Sequence, residues 1–176
     1  RIQARTRQAR GSGAPEVLVL MGSVSVRNVS KDYVLGRTIV RALHDVSLEV
    51  ERSEFIAIAG PSGSGKSTLL NLVSAIDSPT EGEVSIDGVR LDSLDDNGLS
   101  DLRAHKIGFI FQTFNLIPVL SAYENVEFPL LFKRDGTVSK GRVEEVLDRV
   151  GLKNFMHHRP DELSGGQRQR GAVARA

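Results

Sequence analysis

The sequence has no cysteine and no tryptophan, and only 2 Tyr and 7 Phe among its 176 residues. Without cysteine there is no disulfide framework, no thiolate nucleophile and no thiolate zinc site. No uninterrupted apolar run is longer than Val17–Met21, far short of the roughly 18 residues a membrane helix needs. The same run is too short and too poorly flanked for a signal-peptide core. A large net charge is also missing, since 23 Lys and Arg against 22 Asp and Glu leave +1. With 40% hydrophobic and 26% charged residues, the chain has the makeup of one globular domain with a real core. Disorder and fibrous repeats do not fit it. The expectation is a soluble, cytoplasmic protein that is still free to dock on a membrane protein.

The small positive charge is unevenly placed. Arg1, Arg5, Arg7 and Arg10 fall in the first ten residues, and Glu16 is the only acid before Met21. Without residues 1–20 there remain 19 basic (23 less 4) and 21 acidic (22 less 1) side chains, a net −2. A basic arm suits nucleic acid or an anionic membrane. The chain begins with Arg, however, and Met21-Gly22 directly precedes the first strand-like segment. Residues 1–20 are therefore expected to be a non-native or disordered tail, and no nucleic-acid partner is expected.

After Met21 a period of two appears at Val24 and Val26, and again at Val46, Leu48 and Val50. That alternation predicts strands with one buried face. Phe55–Ala59 (FIAIA) is an unbroken apolar run leading into glycines, which suits a parallel strand covered on both faces. Leu69, Leu70, Leu72, Val73 and Ile76 then follow a helical period. Val84 and Ile86 restore alternation before the turn signal Asp87-Gly88. Ile107–Phe111 (IGFIF) reads as a second buried strand. Val143, Val146, Leu147 and Val150 recur at i, i+3, i+4 and i+7, with Gly151 where a C-terminal cap belongs. A last helix is expected from about Gly165. The fold class that results is α/β, with antiparallel strands near the front and a helical region from about 113 to 165.

Gly60-Pro61-Ser62-Gly63-Ser64-Gly65-Lys66-Ser67 matches G-x-x-x-x-G-K-[ST] in full, between an expected strand and an expected helix. Glycines let the backbone curl around an anion so that several N–H groups converge. The helix beginning near Gly65 adds the positive end of its dipole. Lys66 can place its ammonium between the β- and γ-phosphates. The Ser67 hydroxyl can ligate Mg²⁺, and Thr68 can reach the α-phosphate. The loop by itself implies a nucleoside triphosphate.

A second motif narrows the class. Leu163-Ser164-Gly165-Gly166-Gln167 precedes a helical segment, with Ser164 98 positions beyond Lys66. Two glycines before a helix give close approach and free N–H donors, and a serine beside them makes a second phosphate-facing surface. Together with the phosphate loop, this pentapeptide resembles the signature motif of the ABC transporter ATPases, and the resemblance covers Ser23 to Ala176. It implies a P-loop NTPase core with an antiparallel β subdomain and an inserted helical subdomain. It also implies ATP and Mg²⁺ as ligands, and a homodimer in which Ser164, Gly165, Gly166 and Gln167 act in trans on the partner's phosphate loop. Gln112, after the IGFIF segment, falls where the family's glutamine contacts Mg²⁺ and attacking water and couples to a transmembrane permease subunit. Tyr33 falls where an aromatic stacks on adenine. Gln112–Pro118, Tyr123–Pro129 and His157–Leu163 resemble the lipoprotein-releasing and macrolide-export branch. A location on the cytoplasmic face of the inner or plasma membrane follows from that resemblance.

The same resemblance places a magnesium-binding Asp, a catalytic Glu and a switch His after the signature helix, and no run of four aliphatics ending in Asp-Glu occurs in this chain. The expectation is a C-terminally truncated domain. The resemblance makes the full-length parent an ABC-type ATPase that couples ATP binding and hydrolysis to export or lipoprotein release through the permease, whereas residues 21–176 alone are a partial nucleotide-binding domain that binds ATP without hydrolysing it. Gly171 stands where a bulkier aliphatic is usual, and Ser53 in a turn where Gly is usual. Two alternatives remain at this level. A small P-loop nucleotide kinase shares the loop but has no use for the second motif. A non-transport ABC-superfamily ATPase normally carries long insertions between the two. His157-His158 lacks further ligands for a metal. The acids Asp92, Asp95, Asp96 and Asp101 read as a solvated helix start. His44 and His105 are given no role, and Arg168 and Arg170 are expected to serve the signature helix.

Overall fold

A computed structural model describes residues 3–4, 17–20, 22–132 and 140–176. Its strands, in chain order, are β1 (Gln3–Ala4), β2 (Val17–Leu20), β3 (Val24–Leu35), β4 (Thr38–Val50), β5 (Ile58–Ala59), β6 (Glu81–Ile86), β7 (Val89–Arg90) and β8 (Ile107–Ile110). The helices are α1 (Lys66–Val73), α2 (Asp96–Lys106), α3 (Ala122–Glu127), α4 (Lys140–Arg149) and α5 (Gly165–Arg175). These elements divide into two compact units, one within Leu20–Ile107 with β1, the other within Gly108–Ala176 with Val17–Val19. Apart from β1 and β2, the basic tail expected over residues 1–20 lies outside the described residues.

In the first unit β4, β3, β6 and β7 form an antiparallel sheet in that order. Val24, Val26, Val84 and Ile86 are buried, as alternation predicts, and Val24 pairs with both Val50 and Ile86. The phase then breaks, because Asn28 and Asp45 adopt left-handed φ values of 48° each and shift the register. The Asn28 amide donates to Asp45 Oδ1 at 2.9 Å, and the irregularity turns Val29 inward to full burial. α1 packs on this sheet through Leu69, Leu72 and Val73.

Three local expectations are corrected here. The helix ends before Ile76: Ala75 takes φ 55°, its N–H donates to Leu72 O and that of Ile76 to Asn71 O. This is a left-handed C-terminal cap without glycine, and it leaves Ile76 half exposed. Phe55–Ala59 is not a strand covered on both faces. Only Ile58–Ala59 is extended, paired antiparallel with the two-residue β1, and Phe55 is 81% exposed. A run with so short a neighbour gains few ladder hydrogen bonds and no cover for its side chains. Ile107–Phe111 is likewise only half buried; β8 pairs with β2, and the Phe109 and Phe111 rings lie 4.4 Å apart.

The turn signals hold. Asp87 and Gly88, both at positive φ, join β6 to β7 with Ile86 opposite Val89, the two-residue hairpin such a pair favours. Asp87 Oδ1 accepts from the Ser23 N–H and the Arg52 guanidinium, and Oδ2 from the Lys106 ammonium. Lys106 and Arg52, then Ser23, hold its pKa down to about 2. A carboxyl depressed on folding stabilises the fold above its unfolded pKa, near 3.8, and that contribution is lost as pH falls through about 2. Urea titrations at stepped pH should show stability dropping across this window, with a flatter profile in Asp87→Asn. Ser53 sits in a turn closed by Glu54 N–H to Glu51 O, at φ 62°, the position that demands glycine in a type II turn. We expect Ser53→Gly to stabilise by about 0.5–1 kcal/mol, because relief of the left-handed cost exceeds the entropy glycine adds to the unfolded chain. A urea midpoint unchanged or lowered would contradict this.

The second unit is mainly helical. Val126, Val143, Leu147 and Leu152 form its buried core, with Tyr123, Phe155 and Met156 packed against them. α4 closes on Gly151 at φ 69°, whose N–H donates to Asp148 O while that of Leu152 reaches Leu147 O. Leu147 and Leu152, both fully buried, complete this cap with an apolar contact. In the first unit the acids at the start of α2 cap it: Asp95 Oδ1 accepts from the Gly98 N–H at 2.8 Å.

Candidate functional site

The loop from Gly60 to Gly65 leaves β5 and enters α1 with Gly63 at φ 78° and Gly65 at φ 88°. Gly65 is the N-cap and offers no side chain to the helix, and the first intrahelical bond of the turn runs from Leu69 N–H to Gly65 O at 2.9 Å. The N–H groups of Lys66, Ser67 and Thr68 therefore have no intrahelical acceptor and face the helix entrance, where they suit an anion. Lys66 folds back into the loop: its ammonium donates to Gly60 O at 2.9 Å, Pro61 O at 2.7 Å and Ser64 Oγ at 3.4 Å. Three neutral oxygens orient the cation without neutralising it. A phosphate offers it stronger, charge-assisted bonds. Ser62 and Ser67 are exposed, so the Ser67 hydroxyl is accessible at the start of α1.

Tyr33 lies on β3 in the same unit, opposite Val40. Its hydroxyl donates to Asp77 Oδ2 at 2.9 Å, just beyond α1, and Thr68 lies close enough to act on its acidity. Burial first, then the bond to Asp77, raises the Tyr33 pKa. Lys31 Nζ sits 5.0 Å from the ring centroid and 2.6 Å from Asp77 Oδ1. Burial works to raise the Asp77 pKa, but the bonds from Lys31, Tyr33 and Ser78 outweigh it and the carboxyl stays low. Asp77 thus fixes the phenol, with the Lys31 ammonium near its ring. Sequence reasoning missed Asp77, since nothing in a lone Asp after a helix announces its partners on a strand far earlier in the chain.

The second unit carries the other motif residues. Gln112 is exposed in a turn closed by Phe114 N–H to Phe111 O at 3.0 Å. Ser164 caps α5: its Oγ accepts from Gln167 N–H at 3.3 Å, and Gln167 Oε1 accepts from Ser164 N–H at 2.7 Å. This reciprocal capping box uses Ser164 Oγ and Gln167 Oε1 as acceptors and leaves the donor groups of both side chains out of it. Gly165 and Gly166, both exposed, present their N–H groups at the helix end. A Cβ at Gly165 would meet nothing within 4 Å, and one at Gly166 only the flexible Arg170 terminus. The first and second motif sets thus lie in different units, each locally ordered. Among the accessory residues, His157 is exposed and His158 packs edge-on against Phe155, while Arg168 Nε is buried without a partner among the described residues. The buried Gly171 could take a methyl group, since a Cβ there would sit 3.6 Å from Leu116 and 3.8 Å from Leu152.

The sequence model of the family described as ABC transporter matches residues 43–176. An uncharacterised ABC transporter ATP-binding protein of Methanocaldococcus jannaschii, MJ0796, is 50% identical over 158 residues, covering 87% of this chain and 67% of the relative. The macrolide export ATP-binding/permease protein MacB of Bdellovibrio bacteriovorus is 44% identical over 153 residues, covering 87% of this chain and 23% of the relative. A dimeric structure of MJ0796 in a post-hydrolysis state with ADP and phosphate superposes with a TM-score of 0.78 at 48% identity, covering 86% of this chain and 68% of that one. The chain thus spans about two thirds of the length of the stand-alone relative and about a quarter of the fused one.

Proposed function

The chain belongs to the ABC transporter family, and on that premise we propose that it is the ATP-binding part of a membrane export or lipoprotein-release system. The observation that carries this reading is the shape of the Gly60–Ser67 loop. Two left-handed glycines and an uncapped helix start leave the N–H groups of Lys66, Ser67 and Thr68 without intrahelical acceptors at the entrance of α1, with the Lys66 ammonium folded into the same loop. In this reading the loop holds the β- and γ-phosphates, Thr68 the α-phosphate, and the Tyr33 ring stacks on adenine. The Ser67 hydroxyl would hold Mg²⁺, since a single hydroxyl suits an ion bound chiefly by phosphates and water, and the ion would supply charge neutralisation at the transferring phosphoryl.

Two copies pair head to tail, so that Ser164 to Gln167 of one close over the phosphate loop of the other; that structures of the similar MJ0796 are dimeric supports the pairing of two copies. Fusion of similar chains to a permease in MacB supports a membrane partner, which Gln112 and the helical unit engage from the cytoplasmic face. No described helix is long and apolar enough to cross a membrane. Residues 113–165 form the helical subdomain that transmits the motion.

The deciding experiment follows radiolabelled γ-phosphate from ATP with the full-length parent protein. Release as inorganic phosphate, at a rate rising with the square of protein concentration when dilute, is expected. Transfer to an added nucleoside monophosphate would instead mark a kinase and overturn the proposal.

A further inference from the structure

Arg175 lies in the last turn of α5, the helix whose first turn carries Ser164 to Gln167. Its guanidinium reaches the segment after Gln112: Nη1 donates to Asn115 O at 2.5 Å and Nη2 to Phe114 O at 3.0 Å. Phe114 and Asn115 are consecutive residues at φ 63° and 46°, and neither is glycine. Two side-chain-bearing residues in the left-handed region persist only where the surroundings over-determine them. The planar fork of an arginine, with two parallel donors, matches two neighbouring carbonyls in a way a single ammonium does not. Burial lowers the Arg175 pKa, so the guanidinium has given up much of its hydration and depends on these two oxygens. Phe114 also closes the turn that displays Gln112, through its N–H to Phe111 O.

We infer that Arg175 is a positioning residue that ties the signature helix to the Gln112 turn. α5 is a rod of 11 residues, about 16 Å long at 1.5 Å per residue. The nucleotide-facing motif is at one end and the clamp on the glutamine segment at the other. A ligand that engages the Ser164 end therefore moves or holds the Gln112 turn through a rigid element and two hydrogen bonds. At its far side the same segment is anchored separately by Asn125, which bonds Ile117, Leu120 and Ser121. The clamp is thus the contact that bears directly on Gln112.

This inference rests on the proposed reading of the site, and the test separates the two. In the full-length parent protein, Arg175→Gln should lower ATP turnover at least tenfold while the affinity for a fluorescent ATP analogue changes less than twofold. Adding Asn115→Gly, which accepts a left-handed φ without help, should restore turnover at least threefold. Arg175→Lys, the fallback if the glutamine variant is not recovered folded, should show a smaller loss with the same rescue. A residue that only stabilised the fold would lower the melting temperature without rescue at position 115. Unchanged turnover in the Arg175 variants, or failure of Asn115→Gly to restore it, overturns the inference. Lys66→Ala is the control for the site itself. If it leaves turnover intact, the nucleotide reading fails; if it abolishes turnover while the Arg175 variants remain fully active, only the clamp fails.

Discussion

Gly65→Ala is expected to lower the affinity of the intact protein for ATP at least about 100-fold while the antiparallel sheet of the first unit stays folded. Two costs fall on the same methyl group. At φ 88° an alanine bears roughly 1–2 kcal/mol of left-handed strain. Its Cβ would also lie 2.6 Å from Ala42 O and 2.7 Å from Leu43 Cδ2, closer than real Cβ contacts come. Ala42 is the extra residue of an irregularity in β4, held between Leu43, which pairs with Lys31, and Arg41, which pairs with Asp32, so the loop yields more readily than the strand. Overpacking of this kind costs about 1–3 kcal/mol. The cheapest relief is to abandon the turn, which disperses the N–H donors of α1 and frees the Lys66 ammonium from Gly60 O and Pro61 O. Gly63 supplies the comparison: at φ 78° it bears the same kind of strain, but a Cβ there would meet nothing within 4 Å. Gly63→Ala should therefore lose only about 5–30-fold, the left-handed cost alone. Calorimetric titration with Mg-ATP, and circular dichroism for the sheet, would check both. Equal losses in the two variants would mean that the contact with β4 does not shape the loop.

Why some of this was legible in the sequence and some was not follows from the range of the interactions. The phosphate loop could be read because its chemistry is local: glycines, lysine and serine act within one short stretch, and the helix that follows carries its own period. Ser164 and Gln167 stood out in the sequence as part of a motif, but the capping box they form with each other was not read from it. The break in β3 was not legible. Asn28 and Asp45 are ordinary polar residues until they face each other across two strands. Ile76 was misplaced because Ala75, with no glycine to announce it, takes the left-handed cap. Phe55–Ala59 misled because an apolar run states what a strand prefers and not which neighbours it finds. Asp77 and Arg175 were missed altogether; Arg175 and Asn125 bond chiefly to backbone, and carbonyls carry no sequence signature. Those two side chains nonetheless shape the segment that presents Gln112, so part of the site is written where only the folded chain shows it.

Asn125→Asp should be among the most damaging conservative changes available, and its damage should depend on pH. The Asn125 side chain is 1% exposed and fully used: Oδ1 accepts from Ile117 N–H at 2.7 Å, and the two Nδ2 hydrogens are shared among Ile117 O, Leu120 O and Ser121 O at 3.0–3.2 Å. An ionised carboxylate at this position keeps the first bond and loses the other three, turning a second oxygen toward three carbonyls. A buried charge without a cation, surrounded by unpaired acceptors, costs about 3–5 kcal/mol. The protein can escape by protonating the introduced carboxyl, which then donates once, so the folded-state pKa of that group must lie above its unfolded value. A raised acid pKa destabilises the fold above that pKa and relents as pH falls below it. The variant should therefore gain stability relative to the parent as pH is lowered from about 7 towards about 5, against the direction of the Asp87 effect, which sets in only below the ordinary carboxylate pKa. Asn125→Ala, which removes the bonds without adding charge, should be destabilised with no such recovery. Parallel pH dependence in the aspartate and alanine variants would show that the carbonyl cage does not face position 125.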